Sequence, residues 1–187
     1  MAQAASLTTT VGQTTTTITE PAVTDVNGIF RAADVVALVS VMSGDTEHYA
    51  TAIYKAQVVQ GFKGTTKGET LYFGPYVGLR LGGEYVLFLR STSEALKPAS
   101  ETAVTYGTVP YYKIFNEGYT AMEAKYECVL KGNAACDYSV RICTDYIKTP
   151  KSLQLAPSLD KDTSFGCRWA RREQFLALLV KLSATQH

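Results

Sequence analysis

Apolar residues in this chain gather into short blocks whose spacing changes along its length. Val26, Ile29, Phe30 and Ala33 recur at steps of three and four behind Thr24-Asp25, an N-cap pair, so the spacing predicts a short helix with one apolar stripe. Val35 to Val41 is then almost unbroken aliphatic, the pattern of a strand packed on both faces, and Ser43-Gly44-Asp45 reads as a turn. Tyr49 to Phe62 predicts a long strand. Ala50, Ala52, Tyr54, Ala56 and Val58 hold one parity against Thr51, Ile53, Lys55, Gln57 and Val59, and Gly61 stands where a bulge or bend would fall. After the loop Lys63-Gly64-Thr65-Thr66-Lys67-Gly68, Thr70 to Phe73 reads as a third strand. Leu81-Gly82-Gly83 then introduces Glu84 to Leu89, the strongest core strand.

Further on, Met122, Ala124, Tyr126, Cys128 and Leu130 alternate with Glu123, Lys125, Glu127 and Val129. Lys131-Gly132-Asn133 turns the chain into Cys136, Tyr138, Val140 and Ile142, which alternate with Asp137, Ser139, Arg141 and Cys143. This is a hairpin with one apolar face, over about 120–147. A loop carrying Pro150 and Pro157 follows. Thr163-Ser164 can cap a last helix over about 164–183, with Trp169, Arg172, Leu176 and Leu179 on one stripe. At the other end, Ser6 to Thr19 is dominated by threonine with few apolar groups, so burial there does not offset the entropy of ordering. Residues 1–23 read as a mobile Thr-rich arm. The competing reading is a β-branched edge strand that ends at Pro21.

The order of an Ala33-Asp34-Val35-Val36 strand, a Phe62-Lys63-Gly64 exit from the next strand and a Gly82-x-x-Tyr85-Val86-Leu87-Phe88-Leu89 strand resembles the netrin-like module of tissue inhibitors of metalloproteinases and their bacterial TIMP-like relatives. The resemblance spans Thr24 to Arg90. It implies a five-stranded OB-type β-barrel with a helix just ahead of the first barrel strand. It also calls for a fifth strand, for which Pro110 to Phe115, turned by Asn116-Glu117-Gly118, is the candidate. Glycines at bent strand corners suit the closing of a small barrel. The expectation is therefore a mainly β fold: the barrel, a short N-terminal helix, an added β-hairpin and a C-terminal helix, all in one domain over 24–187. In the inhibitors themselves, a free cysteine within an N-terminal Cys-x-Cys chelates the protease zinc. Here Thr8 to Thr19 stand in that region, so chelation transfers to no residue of this chain.

Composition narrows the function classes. Lys and Arg total 18 against 17 Asp and Glu, and a net charge of +1 supplies no broad electrostatic footprint for nucleic acid. No apolar run reaches the roughly 20 residues that span a bilayer, so membrane insertion is not expected. Met1-Ala2-Gln3-Ala4-Ala5-Ser6 carries no secretory signal, and a processed N-terminus would look the same. The four cysteines are even in number and contain no CxxC pair, which favours disulfides over zinc and a secreted or periplasmic mature form.

Cys128 and Cys136 flank the hairpin turn on one parity, so they suit a bridge, which leaves Cys143 to pair with Cys167. Connectivity stays open, and four reduced cysteines acting as small hydrophobes are the alternative. A thiol at Cys167 beside Arg168, Arg171 and Arg172 could be activated for redox chemistry. Yet only His48 and His187 could serve as an imidazole base, so no catalytic set assembles. Asp160-Lys161-Asp162-Thr163-Ser164 imitates a calcium loop but places Phe165 and Arg171 where glycine and a bidentate carboxylate belong, so neither metal nor cofactor is expected. Among the 12 tyrosines, Tyr106, Tyr111, Tyr112 and Tyr119 form a candidate binding face, with sheet packing as the plainer explanation. The reading that results is an extracytoplasmic, non-enzymatic binding module for a protein or glycan. A protease inhibitor acting through barrel loops is the first alternative and a thiol-dependent protein using Cys167 the second.

Overall fold

A computed structural model describes residues 6–11, 14–19, 24–47, 51–76, 78–92, 111–115, 120–127, 137–157 and 166–185. In chain order the strands are β1 (Ser6–Val11), β2 (Thr14–Thr19), β3 (Thr24–Asp25), β4 (Val35–Glu47), β5 (Thr51–Lys63), β6 (Thr70–Tyr76) and β7 (Glu84–Ser91). They continue with β8 (Tyr111–Ile114), β9 (Ala121–Glu127), β10 (Asp137–Cys143), β11 (Ile147–Lys148), β12 (Leu155–Pro157) and β13 (Cys167–Arg171). Helix α1 (Val26–Ala32) precedes β4, and α2 (Arg172–Ala184) follows β13.

Five strands close on themselves. β4 pairs antiparallel with β5 and with β7, and β5 pairs antiparallel with β6. β8 seals the ring, parallel to β6 and antiparallel to β7. The circuit β4-β5-β6-β8-β7-β4 is a closed barrel of the OB type. One edge of β7 is shared in sequence. Glu84 to Leu87 take β9, and Leu89 to Ser91 take β8. From that fork the sheet runs outward through β9, β10, β13 and β12.

The fork explains the unbroken apolar strands. Val35, Ala37, Val39 and Val41 of β4, with Tyr85, Leu87 and Leu89 of β7, fill the barrel together with Ala56, Val58, Leu71 and Phe73. The alternate residues Val36, Leu38, Val86 and Phe88 face a second core, made with Phe30 of α1, Met122 and Ile142 of the extension, and Phe175 and Leu179 of α2. Both faces of 35–39 in β4 and of 85–89 in β7 are thus dry, and strand alternation has no polar side to show there. Bulges flank Gly61, where β4 and β5 change register at Val36/Ala37 and Leu38/Val39. Gly64, at φ 65°, turns the chain where a Cβ would overlap the Asp34 carbonyl oxygen, so only glycine fits.

Two expectations are corrected. Ser43-Gly44-Asp45 is no turn: β4 bulges at Met42 and stays paired to β5 out to Glu47, because the barrel needs one long strand to reach round its circumference. The last helix starts at Arg172 and not near 164, since Cys167 to Arg171 pair with β10 and Arg168 to Ala170 pair also with β12. Sheet pairing overrides the helical spacing of Trp169 and Arg172 there. Within the Thr-rich arm, β1 and β2 pair antiparallel with each other, in register from Ser6↔Thr19 to Val11↔Thr14. Threonine's preference for pleated backbone accounts for it.

Candidate functional site

At the barrel end where β7 begins, the chain from Gly78 to Gly83 forms a tight turn. Gly78 and Gly82 take φ of 94° and 75°, and the Gly83 amide donates to the Arg80 carbonyl at 3.0 Å. The barrel grips this turn from two sides. The Gly82 amide donates to the Val41 carbonyl at 2.7 Å, and the Val41 amide donates to Gly83 at 3.0 Å, an extra rung on β4. Two phenols reach it from below: the Arg80 amide donates to the Tyr85 hydroxyl at 2.9 Å and the Leu79 amide to the Tyr54 hydroxyl at 3.3 Å. Tyr54 in turn stacks on Phe73, with ring centroids 5.7 Å apart. The turn is therefore held at its backbone while its tip stays in water. Leu81 is 64% exposed, and Met42, beside Val41, is 54% exposed.

Inside this end lies a group of phenols. Burial pushes the Tyr85 hydroxyl above its ordinary range, and the Glu123 carboxylate adds to that, while the Arg80 amide and guanidinium oppose it. Burial also raises Tyr76, helped by Tyr54 and Tyr85 and opposed by the Arg141 charge. At the start of α2, Arg172 donates to Glu84 at 2.6 Å and stacks over Tyr138 at 5.3 Å, which ties the helix to the first residue of β7.

The sequence-predicted residues fall in several places. Cys143 and Cys167 are Cα partners on β10 and β13 and are joined by a disulfide. Cys167 consequently has no thiol to activate, and it lies on a strand where the sequence pattern put a helix N-terminus. Cys128 and Cys136 lie outside the described residues, as do Tyr106, Tyr119 and the Asp160 to Ser164 segment. Tyr111 and Tyr112 belong to β8, opposite Tyr72 and Phe73 of β6, and Tyr112 is half-buried against the barrel core. Their strand closes the barrel.

Sequence reasoning passed over Tyr54, Tyr85, Leu79, Arg80 and Leu81 as a unit. The glycines bracketing Leu79-Arg80-Leu81 were the available signal, and nothing local marked Glu123 or Arg141. Among the described residues there is no group of three or more His, Cys, Asp or Glu that could hold a metal ion, and no helix is long and apolar enough to cross a membrane. In comparisons with known proteins, no family model, curated protein or solved structure matches this chain.

Proposed function

We propose that this protein is an extracytoplasmic, non-enzymatic binding module of the TIMP/netrin-like OB type, and that it engages a protein partner through the Gly78 to Gly83 turn. The observation that carries this reading is an apolar tip, Leu81 with Met42 close by, on a backbone already fixed by Tyr54, Tyr85 and Val41. Binding through such a turn loses little conformational entropy, because the loop is ordered before the partner arrives. Met and Arg, here Met42 and Arg80 beside Leu81, are also enriched at interface centres. The Cys143–Cys167 disulfide supports the oxidising compartment.

The same turn bears on the protease-inhibitor alternative. The Arg80 carbonyl already accepts from the Gly83 amide, so presenting the Arg80-Leu81 bond to a protease oxyanion hole would require the turn to open. Docking favours the closed turn, so the binding module is the stronger reading.

Photo-crosslinking tests it. With a photoreactive side chain at position 81, the protein is exposed to the extracellular fraction of its own source. The reading requires one saturable adduct that the unlabelled protein competes away and Leu81→Asp does not. Equal competition by Leu81→Asp would overturn the turn as the interface. Slowed turnover of a protease panel by the wild-type chain would move the inhibitor reading ahead.

A further inference from the structure

A second set of groups adjoins the turn without belonging to it. Val39 pairs with Tyr85 across β4 and β7, Tyr85 with Glu123 across β7 and β9, and Arg141 with Trp169 across β10 and β13. Val140 pairs with Ala124, so Glu123 and Arg141 are neighbours across β9 and β10. The five residues form one row over the sheet. Their neighbours Met122, Ala124, Val140, Ile142 and Ala170 all enter the helix-side core, which leaves the row on the face continuous with the barrel interior. The inner wall of the barrel thus runs out at its mouth into an extension that carries charge.

Glu123 and Arg141 are both half-buried, and among the described residues neither side chain makes a hydrogen bond or an ion pair. Their companions along the row are occupied or buried: Trp169 is covered by Lys125 at 4.9 Å, and Tyr85 bonds the turn. Tyr76 is half-buried within reach of the Arg141 charge, and its hydroxyl makes no hydrogen bond among the described residues. A half-desolvated guanidinium with no hydrogen-bonded partner among the described residues costs free energy that an external oxyanion recovers, and planar bidentate pairing makes a carboxylate the fitting one. The nearby Glu123 supplies the opposite function, an acceptor for hydroxyls.

We propose that the Tyr76, Glu123 and Arg141 cluster is a binding site for an acidic saccharide of the uronate type. Arg141 takes the sugar carboxylate, Glu123 accepts from ring hydroxyls, and Tyr76 offers a hydroxyl and part of a ring face. A peptide fits less well. β7, β9, β10 and β13 are each paired on both sides, so the row has no free strand edge for main-chain recognition. The site does not depend on the Leu81 turn for its ligand.

The experiment is calorimetric titration of the full chain with hexagalacturonate, with a neutral hexagalactoside and with acetate. Binding of the uronate alone is expected, weakened about tenfold or more in Arg141→Leu. Arg141→Lys keeps the charge but lacks the bidentate fork, so it should lose several-fold, and it serves if the leucine variant does not fold. Leu81→Asp should bind the uronate normally, which separates this site from the protein-docking turn. Equal binding of the neutral sugar or of acetate, no uronate binding, or undiminished binding by a folded Arg141 variant would each overturn the proposal.

Discussion

The Lys63 ammonium donates to the Phe30 carbonyl at 3.1 Å and to the Arg31 carbonyl at 2.9 Å, so the last residue of β5 caps the C-terminal end of α1. A helix of seven residues leaves most of its carbonyls without internal partners, and a cation placed there meets both the unpaired oxygens and the negative end of the helix dipole. The same nitrogen sits 5.9 Å from the Phe30 ring centre. Strand, helix and core are tied at one point. Lys63→Met keeps the apolar stem and removes the donor; urea unfolding should show a loss of about 1–2 kcal/mol.

Gly64 lies one residue beyond that lysine, and its positive φ brings it against the Asp34 carbonyl. Gly64→Ala adds a left-handed backbone penalty to a collision with main chain that cannot swing aside. The expected loss is about 3 kcal/mol or more, read as a fall in the urea midpoint. Gly68, also at positive φ but with open space around the Cβ position, should lose only the conformational part, about 1 kcal/mol.

The raised Tyr85 hydroxyl makes stability depend on pH at the alkaline end. In the folded chain Tyr85 keeps its proton above the ordinary phenol value of 10.0, whereas the unfolded chain gives it up there. Between those two values the native state binds more protons, so stability is full below pH 10 and falls as pH rises through the folded-state value. Tyr76 acts in the same direction. Absorbance titration at about 295 nm combined with urea melts should show late-ionising tyrosines and a declining midpoint above about pH 10. Tyr85→Phe should flatten part of that decline while lowering stability at neutral pH, because the Arg80 amide loses its acceptor.

The Cys143–Cys167 bridge closes a loop of sequence separation 24 and fastens β13 to β10. Replacing both cysteines by serine should cost about 3 kcal/mol, checked by guanidinium unfolding under non-reducing conditions. Under reducing conditions the wild-type midpoint should approach that of the variant as this bridge opens.

The Arg172 and Glu84 pair, at 2.6 Å, sits near solvent, with side chains 20% and 30% exposed. Screening limits its worth. Arg172→Gln should change stability by less than about 1 kcal/mol in physiological salt, read from thermal melts at two ionic strengths.

Local pattern alone determined much of this protein: the short helix capped by Asp25, the cores of four barrel strands with glycine at their corners, the β9 and β10 hairpin, and a strand from Val35 so apolar that both faces had to be buried. Those features are legible because burial imposes a period on sequence, and because glycine is required wherever backbone passes backbone. The tertiary structure decided the rest. Only pairing could show that β8 closes the barrel parallel to β6, or that β7 divides its edge between β8 and β9. The same is true of Cys167 to Arg171, which form a strand although their spacing suits a helix. The row from Tyr85 to Glu123 and Arg141 joins β7 to the β9 and β10 hairpin across a long sequence gap, and the turn at Leu81 is held by Tyr54 and Val41 far from it in sequence. Periodicity records how deeply a residue is buried, whereas its neighbours across a sheet depend on register and closure, which are settled by the whole chain at once.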